Sequence, residues 1–103
     1  MLFRSDLEKL AADYAEDALM ITLDGSFHGR EAILRDFFQA FVAQFPDTKI
    51  TYKRIAIEDD LCLLEWSAEA SGMTIPVGIG ALVIKEGLIQ RQFEWFQLVP
   101  KGG

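Results

Sequence analysis

One cysteine, Cys62, and one histidine, His28, stand in a chain of 103 residues. A single cysteine rules out an intrachain disulfide, and the two side chains together leave too few soft ligands for a conventional structural zinc site, so no metal or cofactor is expected. Basic residues are also scarce: 10 Lys and Arg face 16 Asp and Glu, for a net charge of −6. Phosphate backbones and anionic lipid surfaces repel such a chain, which argues against nucleic acid and membrane as partners. No stretch reaches the ~18 consecutive apolar residues of a membrane span, and the opening MLFRSDLEKL lacks an apolar run of signal-peptide length. The expectation is a soluble, cytoplasmic protein. Repeats, linkers and low-complexity tracts are missing too, so residues 1–103 read as one domain, long enough to bury one core.

What the chain has is apolar residues, half of the total, arranged with changing period. Ser5 to Glu8 form a capping box, and Leu7, Leu10, Ala11, Tyr14, Ala15 and Ala18 follow at helical spacing, which predicts a first helix. Leu19 to Leu23 reads as a short strand ending at the Asp24-Gly25 turn. A second helix is expected over GREAILRDFFQAFVAQF, from Gly29 until Pro46 stops it. Four of the eight phenylalanines, Phe37, Phe38, Phe41 and Phe45, lie on its broad apolar face and read as core, with no chemistry assigned.

Beyond Pro46 the period becomes two, and breaks at Asp59-Asp60, Gly72 to Pro76 and Glu86-Gly87 divide the rest into four antiparallel strands, about 49–57, 61–71, 76–85 and 88–99. The element order implies an α+β domain with helices packed on one side of a long curved sheet. In the second of these strands Cys62, Leu64, Trp66, Ala68 and Ala70 alternate with Glu65, Ser67, Glu69 and Ser71, so the even positions face the helices. Cys62 then becomes a small buried hydrophobe rather than a nucleophile. His28, at the entrance to the second helix, is a titratable group best read as making a capping or loop hydrogen bond.

The segment YAEDALMITLDGSFHGREAI, from Tyr14, and the closing GLIQRQFEWF resemble the nuclear transport factor 2-like superfamily, especially its SnoaL-like polyketide-cyclase and ketosteroid-isomerase branches. The resemblance implies a cone-shaped curved antiparallel sheet wrapped around helices, the cystatin-like architecture, often dimeric, with a small-molecule pocket inside the cone. It also exposes departures. The isomerase branch's proton-abstracting aspartate falls on Thr22, and its oxyanion-stabilising acid falls near Gly80. Neither carries a carboxyl. The SnoaL-like closing aspartate falls on Gln97, whose amide cannot serve as a base near neutral pH. The branch's tyrosine donor lies on an earlier N-terminal helix, which is expected to be lacking because only four residues precede the capping box.

The family's register makes Thr22, Leu64, Trp66, Ala68, Gly80, Gln92, Glu94 and Phe96 the candidate ligand pocket. Gly78 and Gly80 would either leave ligand space beside the aromatic rings or let the sheet bend. Glu94 is the one weak catalytic candidate, since a carboxylate on an apolar concave wall has a raised pKa; a rim pairing with Arg91 or Arg54 is the alternative. The expected function is small-molecule binding, the ligand a small apolar or aromatic molecule, with turnover left open; a dimerisation or protein-association module is the alternative. Phe93 and Trp95 on one face of the last strand, with Phe96 and Leu98 on the other, imply a homodimer, because one face packs on helices and the other needs a cover.

Overall fold

A computed structural model describes residues 9–101. The chain forms strands β1 (Tyr14–Thr22) and β2 (Gly25–His28), a helix, and strands β3 (Lys49–Glu58), β4 (Leu61–Glu69), β5 (Met73–Lys85), β6 (Leu88–Phe96) and β7 (Val99–Pro100). The helix, α1, spans 30–44 without interruption, but only its ends, Arg30–Ala32 and Ala40–Gln44, are α-helical; Ile33–Gln39 is a π-helix. The strands make one sheet in the order β2-β1-β6-β5-β4-β3, with β7 on β5. No helix among the described residues is long and apolar enough to cross a membrane.

The expected first helix meets a correction here. Its capping box lies outside the described residues, as does the question of an earlier helix, and only a turn at Lys9 to Ala11 is helical. Tyr14, Ala15 and Ala18 belong instead to β1, hydrogen-bonded in parallel to β6. The register shifts between Tyr14 and Leu19, and this irregularity explains the false helical stripe. It breaks the two-residue alternation, so that buried residues fall at 14, 15, 18 and 20 while Glu16 and Asp17 face solvent. The parallel pairing also makes the sheet mixed rather than wholly antiparallel, and the hairpin strand β2 had no counterpart among the expected elements.

The antiparallel meander of β3 to β6 agrees with the expected strands, with revised ends. β5 begins at Met73, ahead of Pro76, and the expected final strand divides into β6 and the separate β7. Pro76 is tolerated inside β5 because the β4–β5 register shifts between Trp66 and Ala68, opposite it. A second shift in β3 falls at Lys53. Such irregularities bend and twist strands, and here they give the sheet the curvature to wrap a helix.

Helix α1 is held at both ends. The Gly29 amide donates to the Ala18 carbonyl at 2.8 Å, and beyond the helix the Asp47 carboxylate accepts from the Ser71 amide at 2.9 Å and from the Ser71 hydroxyl. Two separate cores result. One gathers Tyr14, Ala15, Ala18, Met20 and Ile33 near the start of the helix, and the other gathers Ala68, Ala70, Met73 and Ile75 near its end. The even positions of β4 face the helix as alternation requires, with Cys62 buried among them.

Candidate functional site

Between the two cores the helix and sheet do not close. A cavity of about 320 Å³ lies there, floored by β4, β5 and β6 and roofed by α1. The half-buried Phe37, Phe38, Phe41 and Phe45 line it: they pack against the two cores, as expected, and between them also form the roof of a hollow. The π-helical stretch contains the first two of these rings, Phe37 and Phe38. The exposed Ile50 and Tyr52, on the edge strand β3, stand on the lining where the cavity meets solvent.

Six of the candidate pocket residues line this cavity: Leu64, Trp66 and Ala68 from β4, and Gln92, Glu94 and Phe96 from β6. Thr22 and Gly80 do not. Thr22 stands beside Glu94 in the β1–β6 register, but its hydroxyl accepts from the Asp24 amide and donates to the Gly25 carbonyl, both at 3.2 Å, and is spent on the hairpin turn. A Cβ on Gly80 would come within 2.5 Å of the Glu94 Oε1, and one on Gly78 would enter the Trp66 indole. The space these glycines release is therefore taken by the protein's own Glu94 and Trp66, which correct the reading of that space as room for a ligand. His28 ends β2, exposed, with Nε2 at 3.3 Å from the Ser26 hydroxyl and away from the cavity. Among the described residues no group of three or more His, Cys, Asp or Glu side chains is placed to hold a metal ion.

The polar side chains of the floor form one chain. The Tyr14 hydroxyl donates to Gln92 Oε1, Gln92 Nε2 donates to Glu94 Oε1 at 2.7 Å, and the Trp66 indole donates to Glu94 Oε2 at 3.2 Å. Tyr14 is 2% exposed and Gln92 8%, so each must find its partner inside the protein. Burial raises the Glu94 pKa against the opposing pull of the Gln92 and Trp66 hydrogen bonds. Burial first, and then the charge of Glu94, push the Tyr14 phenol far above its ordinary range, so it stays a neutral donor. Arg54, a suggested partner for Glu94, instead donates to Glu65 at 2.6 Å. The floor thus offers one carboxyl that can accept, release or share a proton at an apolar wall.

The sequence presents Tyr14 as an apolar helix position and as the start of the family-like segment, not as a pocket residue. The usable signal was the alternation Tyr14, Ala18, Met20 across the acidic Glu16-Asp17 pair, hidden by the register shift.

A curved mixed sheet folded over one helix, with an open apolar cavity between, defines a nuclear transport factor 2-like cone. The chain belongs to the SnoaL-like domain family, which it matches over residues 1–92. Solved structures agree at the level of fold. A provisionally assigned ketosteroid isomerase from Kribbella flavida superposes with a TM-score of 0.75 at 20% identity, covering 96% of this chain and 71% of that one. A provisionally assigned polyketide cyclase from Sinorhizobium meliloti gives 0.73 at 21% identity, covering 87% and 82%. A de novo designed protein with a curved β-sheet gives 0.75 at 13% identity, covering 87% and 70%, so the shape alone carries no function. No protein with a curated description matches the sequence.

Proposed function

We propose that this single domain binds a small apolar or aromatic molecule in the cavity between its two cores, with Glu94 as its polar anchor. One observation carries the reading: a cavity of about 320 Å³ walled mainly by apolar side chains, into which a single hydrogen-bonded carboxyl is set. Small-molecule sites are concave and mostly apolar, with few convergent polar groups. Similarity to ketosteroid isomerase and polyketide cyclase proteins supports the same class. If turnover occurs, Glu94 is the group able to move a proton, because Thr22, Gly80 and Gln97 stand where those branches would carry acids.

The test is a thermal-shift screen with small aromatic ketones, alcohols, amines and acids, since a ligand that binds only the folded state raises the midpoint with saturation. A concentration-dependent rise that disappears when Leu64 is replaced by a bulky Trp supports the cavity; no rise with any class refutes it.

The proposal includes a homodimer formed through the outer face of the sheet, where Ile79, Phe93 and Trp95 are each more than 40% exposed. Sedimentation at about 50 μM, a concentration that populates moderate-affinity dimers, should give twice the monomer mass. It also includes a cytoplasmic location, which cell fractionation checks.

A further inference from the structure

Resting on the reading of the cavity as a small-molecule site, we propose that its ligand is an organic cation, a protonated amine carried on an aromatic or alicyclic body. Among the described residues lining the cavity, Glu94 is the one charged side chain; no Lys, Arg or His stands there. Both hydrogen bonds that reach it arrive as donations, one to each oxygen, from Trp66 and Gln92. An indole N–H can only donate, so the surroundings are built for a carboxylate. A carboxylate has about four lone-pair directions, and two remain for a ligand's N–H groups.

Around that carboxylate stand aromatic rings. Trp66 and Phe96 have centroids 5.6 Å apart, and Phe37 lies 6.2 Å from Phe96 on the roof. A cation within about 6 Å of such ring faces is attracted by their quadrupoles, more strongly where water is excluded. An anionic ligand would meet Glu94 with no compensating positive charge, in a protein whose net charge of −6 already draws cations toward it. A neutral carbonyl would require the carboxyl to be protonated and to turn a hydrogen toward the ligand. Burial presses Glu94 in that direction, and an ammonium group is the partner that reverses the pressure. The other titratable groups facing this space are Tyr14 from β1 and Tyr52 from β3; the lining residues of α1, β4 and β5 include none.

The experiment uses isothermal titration with three probes on one ring system: naphthylmethylamine, naphthylmethanol and naphthoate. The amine should bind roughly tenfold or more tightly than the alcohol near neutral pH, and naphthoate more weakly than either. In Glu94→Gln, shown to be folded by its thermal midpoint, the amine should lose its advantage, the ratio of amine to alcohol affinity falling from roughly tenfold to about one. In the native protein amine binding should weaken on acidification through the Glu94 titration, and alcohol binding should not. Alcohol or naphthoate binding as tightly as the amine, or an amine affinity unchanged in Glu94→Gln, overturns the cation and leaves the cavity reading standing. Binding by none of the three overturns both.

Discussion

On its inner side β6 presents Gln92, Glu94 and Phe96 to a hollow, and on its outer side it presents Phe93 and Trp95 to solvent. The neighbouring strand repeats the contrast: Gly80 and Leu82 face in, whereas Ile79 and Ala81 pair outward with Trp95 and Phe93. Both surfaces are apolar, yet the inner one is roofed by a helix and crossed by directional hydrogen bonds, whereas the outer one is a shallow, open depression lined by Ile79, Ala81, Phe93 and Trp95. The difference separates two kinds of recognition built from one strand. An open apolar face suits a second protein surface, while a hollow with one oriented carboxyl suits a small molecule.

The sharpest way to break the contrast is at Trp95. Trp95→Glu places a charge on the exposed outer face, and the proposed homodimer should weaken at least ~100-fold, about 2.7 kcal/mol. The monomer should still bind cavity ligands. Sedimentation velocity and titration read the two effects separately, and a dimer that survives the substitution removes the outer face from the interface.

Next in size is Gly78→Ala. Its new methyl would occupy the Trp66 ring position, and overpacking of this kind costs about 2 kcal/mol. For a domain of this length the thermal midpoint should drop by about 10 °C. A neutral outcome would mean that the indole can swing away, and the floor of the cavity is then softer than its packing suggests.

Tyr14→Phe isolates the buried end of the hydrogen-bond chain. It leaves Gln92 Oε1 without its donor in a nearly water-free site, for a loss of about 1–2 kcal/mol in denaturant unfolding. Outer-face contacts should be untouched.

The smallest effect is a pH dependence. Because burial raises the native pKa of Glu94 above its unfolded value, the native state binds this proton more tightly than the unfolded chain does. Its contribution to stability is full below the unfolded pKa and is lost as pH rises through the native one. Glu94→Gln should therefore gain stability relative to the native sequence across that interval, and carboxyl NMR should place the midpoint above the ordinary glutamate range. A midpoint at the ordinary value would return Glu94 to the solvent, and one below it would mean that the Gln92 and Trp66 donations outweigh burial.

The meander of β3 to β6 was legible because turn residues and two-residue alternation coincide, as at Asp59-Asp60 and Glu86-Gly87. Alternation set Trp66 on the inner face for the same reason, whereas Gln92, Glu94 and Phe96 were set there by the register of the family that the chain resembles. β1 was not legible, because its irregular register places apolar residues at helical intervals, and its partner is remote in sequence. The roof was half legible. Phenylalanine spacing identified the helix, but nothing in that spacing shows that rings which pack on the cores, and in Phe37 reach Phe96, still leave a hollow between them. The glycines were half legible for a related reason: a missing side chain leaves open whether the chain bends there or something approaches, and it does not say that what approaches is Trp66 and Glu94.

The parallel pairing of β1 with β6 has a consequence in time. Tyr14 and Gln92 are 78 positions apart, so a chain emerging from the ribosome holds β1 unpaired on that side until β6 has been made. Hairpins between β3, β4, β5 and β6 close over short loops, whereas this contact must gather all the strands between, and contacts of long sequence separation slow folding. The cavity floor, which joins these two strands, is thus expected to be the last part to order. Pulse-labelled hydrogen exchange should find the amides of β1 protected after those of β4 and β5, leaving a nascent chain whose binding site comes into existence only once β6 has joined β1.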